Sequence, residues 1–211
     1  MRSVRIKICG ITTPAQAQAA AEFGVHAIGV VFYGPSSRAV SIDQARVIAQ
    51  AAGPFVNVVG LFVDAGADFI EQVLEQVPLN LLQFHGSETP SDCERYNRPY
   101  IKALRMKPDL DVAAQAVHFA SARGLLLDAY QPGVPGGTGA SFDWNRFPQT
   151  CALPLILAGG LTPDNVTTAI ASTHCSAVDV SGGVESSPGI KDPAKMQAFV
   201  LNASYGASKS E

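Results

Sequence analysis

Eight short aliphatic and β-branched runs, separated by helical patterns, constrain this 211-residue chain more than any other feature. They are Arg5–Cys9, Ala27–Phe32, Phe55–Phe62, Leu79–Phe84, Tyr100–Leu104, Gly124–Asp128, Leu155–Ala158 and Ala177–Ser181. The runs read as apolar on both faces, as strands do when helices cover both sides of a sheet. Helices are expected to begin near Pro14, Ser41, Ala67, Thr89, Asp109, Pro163 and Asp192. Thr13-Pro14, Ser41 with Gln44, Thr162-Pro163 and Asp192-Pro193 each place a capping side chain before a first turn. Strand and helix alternating in this way give an α/β protein with a parallel sheet. Eight such units point to a single eight-stranded (β/α)8 TIM barrel, a small variant in which some helices are short or missing. An open doubly wound sheet is the alternative, because the sequence does not show closure. The chain reads as one domain over 1–211, with a long Gly- and Pro-rich loop from Ala129 to Thr150 and a frayed tail over 203–211.

Composition narrows the partners. The net charge is −3 and no basic block stands out, which argues against nucleic acid and anionic membranes. A phosphorylated small molecule remains compatible, since a local site can be positive on a mildly acidic protein. No secretory leader and no membrane-length apolar run is visible, and Cys9, Cys93, Cys151 and Cys175 are too scattered for a disulfide framework or a CxxC site. The expectation is a soluble cytoplasmic protein, a monomer in preference to a dimer. No His, Asp or Glu cluster has metal-ligand spacing, so no metal is expected.

In a barrel of parallel strands the active site lies at the strand C-termini. Cys9 ends the first run and Asp128 the sixth, so a thiol and a carboxyl would both stand at that face as candidate base and acid. The other reading is a small core residue for Cys9 and a cap or loop carboxylate for Asp128. Gly159-Gly160 follows strand seven and Gly182-Gly183 follows strand eight. Adjacent glycines let backbone N–H groups approach an anion, and barrel enzymes often bind phosphate there. Gly136-Gly137-Thr138-Gly139 is a third flexible segment. Arg38, in the loop after strand two, suits a planar carboxylate, which it can grip with two parallel hydrogen bonds. His85, ending strand four, could orient a substrate or donate a proton. Lys102 reads as an interior or rim lysine, with a Schiff-base role as the lesser reading. Alternation along strands puts Lys7 with Cys9, and Asp179 with Ala177 and Ser181, on the interior. Since strands one and eight are neighbours in a closed barrel, Lys7 and Asp179 are expected to meet across that seam.

Taken together, Lys7-Ile8-Cys9-Gly10-Ile11, Ser36-Ser37-Arg38, Gln83-Phe84-His85-Gly86, Leu127-Asp128, Gly136 to Gly139 with Phe142-Asp143-Trp144, Leu157 to Val166, and Val178 through Asp192 resemble the phosphoribosylanthranilate isomerases of tryptophan biosynthesis. The resemblance runs nearly end to end and in the family's order. It implies a cofactor-free Amadori rearrangement of N-(5'-phosphoribosyl)anthranilate to 1-(2-carboxyphenylamino)-1-deoxyribulose 5-phosphate. By the same resemblance Asp128 is the general acid at the furanose oxygen and Cys9 the base at C2′. Arg38 would bind the anthranilate carboxylate, Asp179 would lie near the amine, and Gly159, Gly160, Gly182 and Gly183 would hold the phosphate. Two departures are Gly182, where many members carry serine, and Phe84, where leucine is frequent. A related ribose-phosphate barrel or a non-catalytic phosphometabolite-binding protein are the rivals. Neither accounts for Cys9 and Asp128 together.

Overall fold

Eight parallel strands close into a barrel in the order β1 to β8, with β8 returning to pair with β1. They are Arg5–Cys9, Ala27–Val31, Asn57–Phe62, Leu81–Phe84, Tyr100–Arg105, Leu125–Asp128, Leu155–Leu157 and Ala177–Val180. This computed structural model describes residues 4–129 and 143–208. Gly136 to Gly139 therefore lie outside the described residues, as does most of the loop expected after β6.

Among the described residues seven helices cover the barrel: α1 (Pro14–Glu22), α2 (Ile42–Ala51), α3 (Ala67–Gln76), α4 (Pro90–Glu94), α5 (Val112–His118), α6 (Val166–Thr173) and α7 (Pro193–Ser208). Local chemistry explains their starts. Thr13 accepts from the Gln16 N–H, and Ser41 and Thr89 each form a full capping box, satisfying amides that the first turn leaves unpaired. Asp192 does the same for Ala194 and Lys195 at the head of α7. Thr162-Pro163 does not start α6. Helical backbone begins at Val166, because Asn165 turns back to accept from Thr162 N–H and donate to the Gly160 carbonyl, extending the loop by one turn. Likewise the cap of α5 is Asp111, not Asp109. Between β6 and β7 the described residues hold only a 3-10 turn, Trp144–Arg146. The C-terminal tail also differs from expectation: α7 runs on to Ser208, held by Ala203, which is fully buried.

The apolar mass lies between strands and helices. Phe32 stacks on Phe62 at 5.2 Å between ring centroids, and Phe84 bridges from Phe62 to Tyr100 at 6.3 and 5.9 Å. A short hairpin that the apolar pattern does not reveal, β9 (Glu185–Ser187) with β10 (Ile190–Lys191), follows β8 and brings two charged side chains to the cavity rim.

Candidate active site

The C-terminal ends of the strands surround a cavity of about 510 Å³. Cys9, Arg38, His85, Asp128, Asp179, Gly159, Gly160, Gly182 and Gly183, every site residue expected from the sequence, line it. Lys102 does not. Its ammonium is buried outside the barrel wall, bonded to the Gly86 carbonyl and to Glu88 at 2.6 and 2.8 Å. Glu88 also accepts from the Asp64 and Gly86 amides, so this ion pair fixes the loop that carries His85.

One wall is the β1–β8 seam. Register places Lys7 opposite Asp179, and the side chains meet as expected, Nζ to Oδ1 at 2.9 Å. Burial works against both charges. Asp179 and Cys9 together more than offset it for Lys7, whose pKa is raised, so the ammonium is kept. The Cys9 thiol is 5% exposed, and burial pushes its pKa up, with Lys7 drawing it in the opposite direction. Gly29 leaves room for both side chains: a Cβ there would sit 2.7 Å from Cys9 Sγ and 3.2 Å from Lys7 Nζ.

The opposite wall comes from β4 and β6. Asp128 accepts from the Ala129 amide at 2.9 Å through Oδ1, and Oδ2 lies 3.2 Å from His85 Nε2. Gln83 Nε2 lies 3.2 Å from His85 Nδ1. An amide nitrogen can only donate, so this contact is a hydrogen bond when Nδ1 is the unprotonated ring nitrogen. Gln83 itself is fully buried.

Arg38 reaches the cavity already engaged. Its Nε and Nη2 grip Glu185 at 2.7 and 2.8 Å. Lys191 bonds the same carboxylate at 2.7 Å and also the Ser181 carbonyl and hydroxyl. Burial opposes the Glu185 charge, but its bonds to Arg38 and Lys191 win and hold its pKa below the ordinary value. A guanidinium has five N–H donors, so three remain for a ligand. Sequence reasoning assigned no role to Glu185, Lys191 or Gln83. The only available signal was their position inside the segments that carry the family resemblance.

The remaining end is backbone. Gly159 and Gly160 have φ of +80° and +65°, values that side-chain-bearing residues rarely adopt. Gly182 to Val184 form a single 3-10 turn, and Gly183 packs so closely on the Leu161 carbonyl that any Cβ would collide with it. The two glycine turns line the cavity, and their exposed main chain makes a concavity suited to an anion. The arrangement thus brings two glycine turns, a carboxyl, a thiol and a guanidinium around one chamber.

Comparison with known proteins gives a consistent result. Residues 6–202 match the family described as N-(5'phosphoribosyl)anthranilate (PRA) isomerase. The N-(5'-phosphoribosyl)anthranilate isomerase of Cellvibrio japonicus is 58% identical over 203 residues, covering 96% of this chain and 94% of that protein. The crystal structure of phosphoribosyl anthranilate isomerase from Thermotoga maritima superposes with a TM-score of 0.83 at 38% identity, covering 95% of this chain and 98% of that one. A structure of the isomerase in complex with reduced 1-(o-carboxyphenylamino)-1-deoxyribulose 5-phosphate gives 0.80 at 37% identity, with the same coverage.

Proposed function

The chain belongs to the N-(5'-phosphoribosyl)anthranilate isomerase family, and from that premise we propose how its own residues divide the work of the Amadori rearrangement in tryptophan biosynthesis. The substrate lies across the chamber with its phosphate against Gly159, Gly160, Gly182 and Gly183 and its anthranilate carboxylate on the free donors of Arg38. Two anchors, one on the phosphate and one on the carboxylate, fix the sugar between Cys9 and Asp128. Asp128 gives a proton to the furanose oxygen, the C1′–O bond breaks, and the nitrogen lone pair forms the iminium. Cys9 removes the proton from C2′, and that electron pair neutralises the iminium to give the enolamine. Transfer of the enol proton to solvent and protonation at C1′ yield the ketone. Each proton delivered is matched by one removed, so the redox change stays within the substrate and needs no cofactor. Asp179 keeps Lys7 in place beside the thiol and borders the amine.

The observation that carries this reading is the pairing of a thiol beside an ammonium with a carboxyl beside an imidazole on facing walls of one cavity. One protomer holds the whole set, so the working unit is a monomer. Light scattering tests this: a stable dimer overturns it, and Phe55, 94% exposed, is the first contact to examine. No helix among the described residues is long and apolar enough to cross a membrane, and we place the activity in the cytoplasm with the rest of the pathway.

The test is turnover of freshly prepared phosphoribosylanthranilate, followed by loss of anthranilate fluorescence. Cys9→Ala and Asp128→Asn, with folding checked by circular dichroism, are each expected to lose about 10²–10⁴-fold in kcat, the usual contribution of a positioned acid or base. A folded variant that keeps wild-type turnover removes that residue from its role.

A further inference from the structure

Gln83 sits deeper than the reacting groups, and the reaction as derived gives it no task. It lines the cavity, is 0% exposed, and its side-chain oxygen Oε1 makes no hydrogen bond. Among the described residues only one other buried side-chain polar atom lacks a partner, Trp144 Nε1. Burying an amide oxygen without a partner is costly. The nitrogen of the same amide faces His85 Nδ1 at 3.2 Å, and His85 Nε2 faces Asp128 Oδ2 at 3.2 Å.

We propose that Gln83 is a positioning residue whose amide selects which ring nitrogen of His85 carries the proton, and thereby whether Asp128 is loaded as an acid. With Nε2 of Gln83 donating, His85 keeps its proton on Nε2 and donates it to an ionised Asp128. A half-turn of the amide presents the unpartnered Oε1 to His85, which then accepts from a proton on Nδ1. His85 Nε2 becomes an acceptor, and Asp128 holds the proton and donates it to that nitrogen. The two arrangements differ by one proton, which enters from water at Nδ1 as the Nε2 proton passes to Asp128. No bond other than N–H and O–H changes. The half-turn breaks no hydrogen bond at Oε1. Asp128 loses a proton to the furanose oxygen in every turnover, so a route for reloading it is required. The other charged or titratable groups facing the pair are Arg105, which is in register with Asp128 on β5, and Asp179, Lys7 and Cys9 across the cavity.

This inference rests on Asp128 being the acid, and the experiment separates the two. Uniformly ¹⁵N-labelled histidine reports the tautomer of His85 in the free enzyme, its signals identified by their loss in His85→Asn. The expected result in wild type is a neutral ring protonated on Nε2. Gln83→Met, close in size but unable to donate, should populate both tautomers and lower kcat by about tenfold or more, within the range for proton-transfer groups. KM should stay within about twofold, and the acid limb of the kcat–pH profile should move. Gln83→Glu, which can only accept, should fix a proton on Nδ1, retain His85 as imidazolium and lower kcat further. A wild-type ring protonated on Nδ1 overturns the proposal, as do two variants whose tautomer and pH profile match wild type. If Gln83→Met fails to fold, the wild-type spectrum and Gln83→Glu decide. Asp128→Asn with full activity would instead remove the acid itself and leave the tautomer result standing as a structural fact.

Discussion

Cys9 and Asp128 each end a barrel strand and face the same cavity, yet the residues behind them follow different physics. Behind Cys9 lie formal charges, Lys7 and Asp179, each 8% exposed at its side chain and paired at 2.9 Å. Behind Asp128 lies a chain of dipoles, an imidazole and an amide, joined at 3.2 Å and ending in an unpartnered oxygen. A base that must become an anion inside a barrel needs a cation that does not leave, and a buried ion pair holds one rigidly. Asp128 is backed instead by neutral groups, whose hydrogen bonds can be rearranged without stranding a buried charge. A fixed charge pair supports one wall and reorientable dipoles the other.

The sharpest way to break this contrast is to remove one supporting group from each wall with the same replacement. Lys7→Met leaves Asp179 buried without its partner and is expected to cost about 3–5 kcal/mol in urea denaturation. Gln83→Met removes one neutral hydrogen bond and should cost about 1 kcal/mol. Equal losses would show that the walls are not held differently. The pKa of Lys7 is raised in the folded protein, so its stabilisation is complete below 10.5 and is lost as pH climbs through the higher folded value. The gap between wild type and Lys7→Met should therefore persist at neutral pH and narrow only in strong alkali.

Next in size is the pH dependence of the base wall. Burial raises the Cys9 pKa from 9.0, and only the thiolate can accept a proton. The rate at which a small alkylating reagent modifies Cys9 should climb by about tenfold per pH unit above neutrality and keep rising past pH 9. A plateau reached below pH 8 would mean that Lys7 outweighs burial. Smaller again is Gly29→Ala, whose new methyl meets Cys9 Sγ and Lys7 Nζ. It should cost about 1–3 kcal/mol as an overpacked site and depress kcat through the base alone, leaving the His85 tautomer as it was. The smallest effect is Ser41→Ala, which removes a capping box remote from both walls. A loss of about 1 kcal/mol, with turnover unchanged, sets the background for the others.

The barrel was legible because buried parallel strands write themselves as uninterrupted apolar runs, and reactive residues at their ends stand out against leucine and isoleucine. Cys9 after Ile8 and Asp128 after Leu127 are of this kind, and strand alternation with closure was enough to bring Lys7 to Asp179. The hairpin after β8 was illegible: Glu185–Ser187 and Ile190–Lys191 are short, polar and irregular in register. Glu185 finds Arg38 across 147 residues, a relation that no local pattern encodes. Thr162-Pro163 misled for the reverse reason. Its local start signal is sound, but Asn165 bonds back into the loop and delays the helix. Gln83 looked like an ordinary polar residue at a strand end, because its significance lies in which of its atoms has no partner.

The ion pair of the β1–β8 seam spans 172 positions of the chain. On the ribosome, Lys7 emerges 172 residues before Asp179. Until β8 arrives, a lysine destined for the barrel interior has no counter-charge, and seating β1 there would strand it in an apolar medium. The first strand must therefore wait in water, or dock loosely, until β8 follows it. The polymer acquires its base, its final strand pairing and a closed wall in one late event, so that an incomplete chain is held back both from folding and from chemistry by the same missing carboxylate.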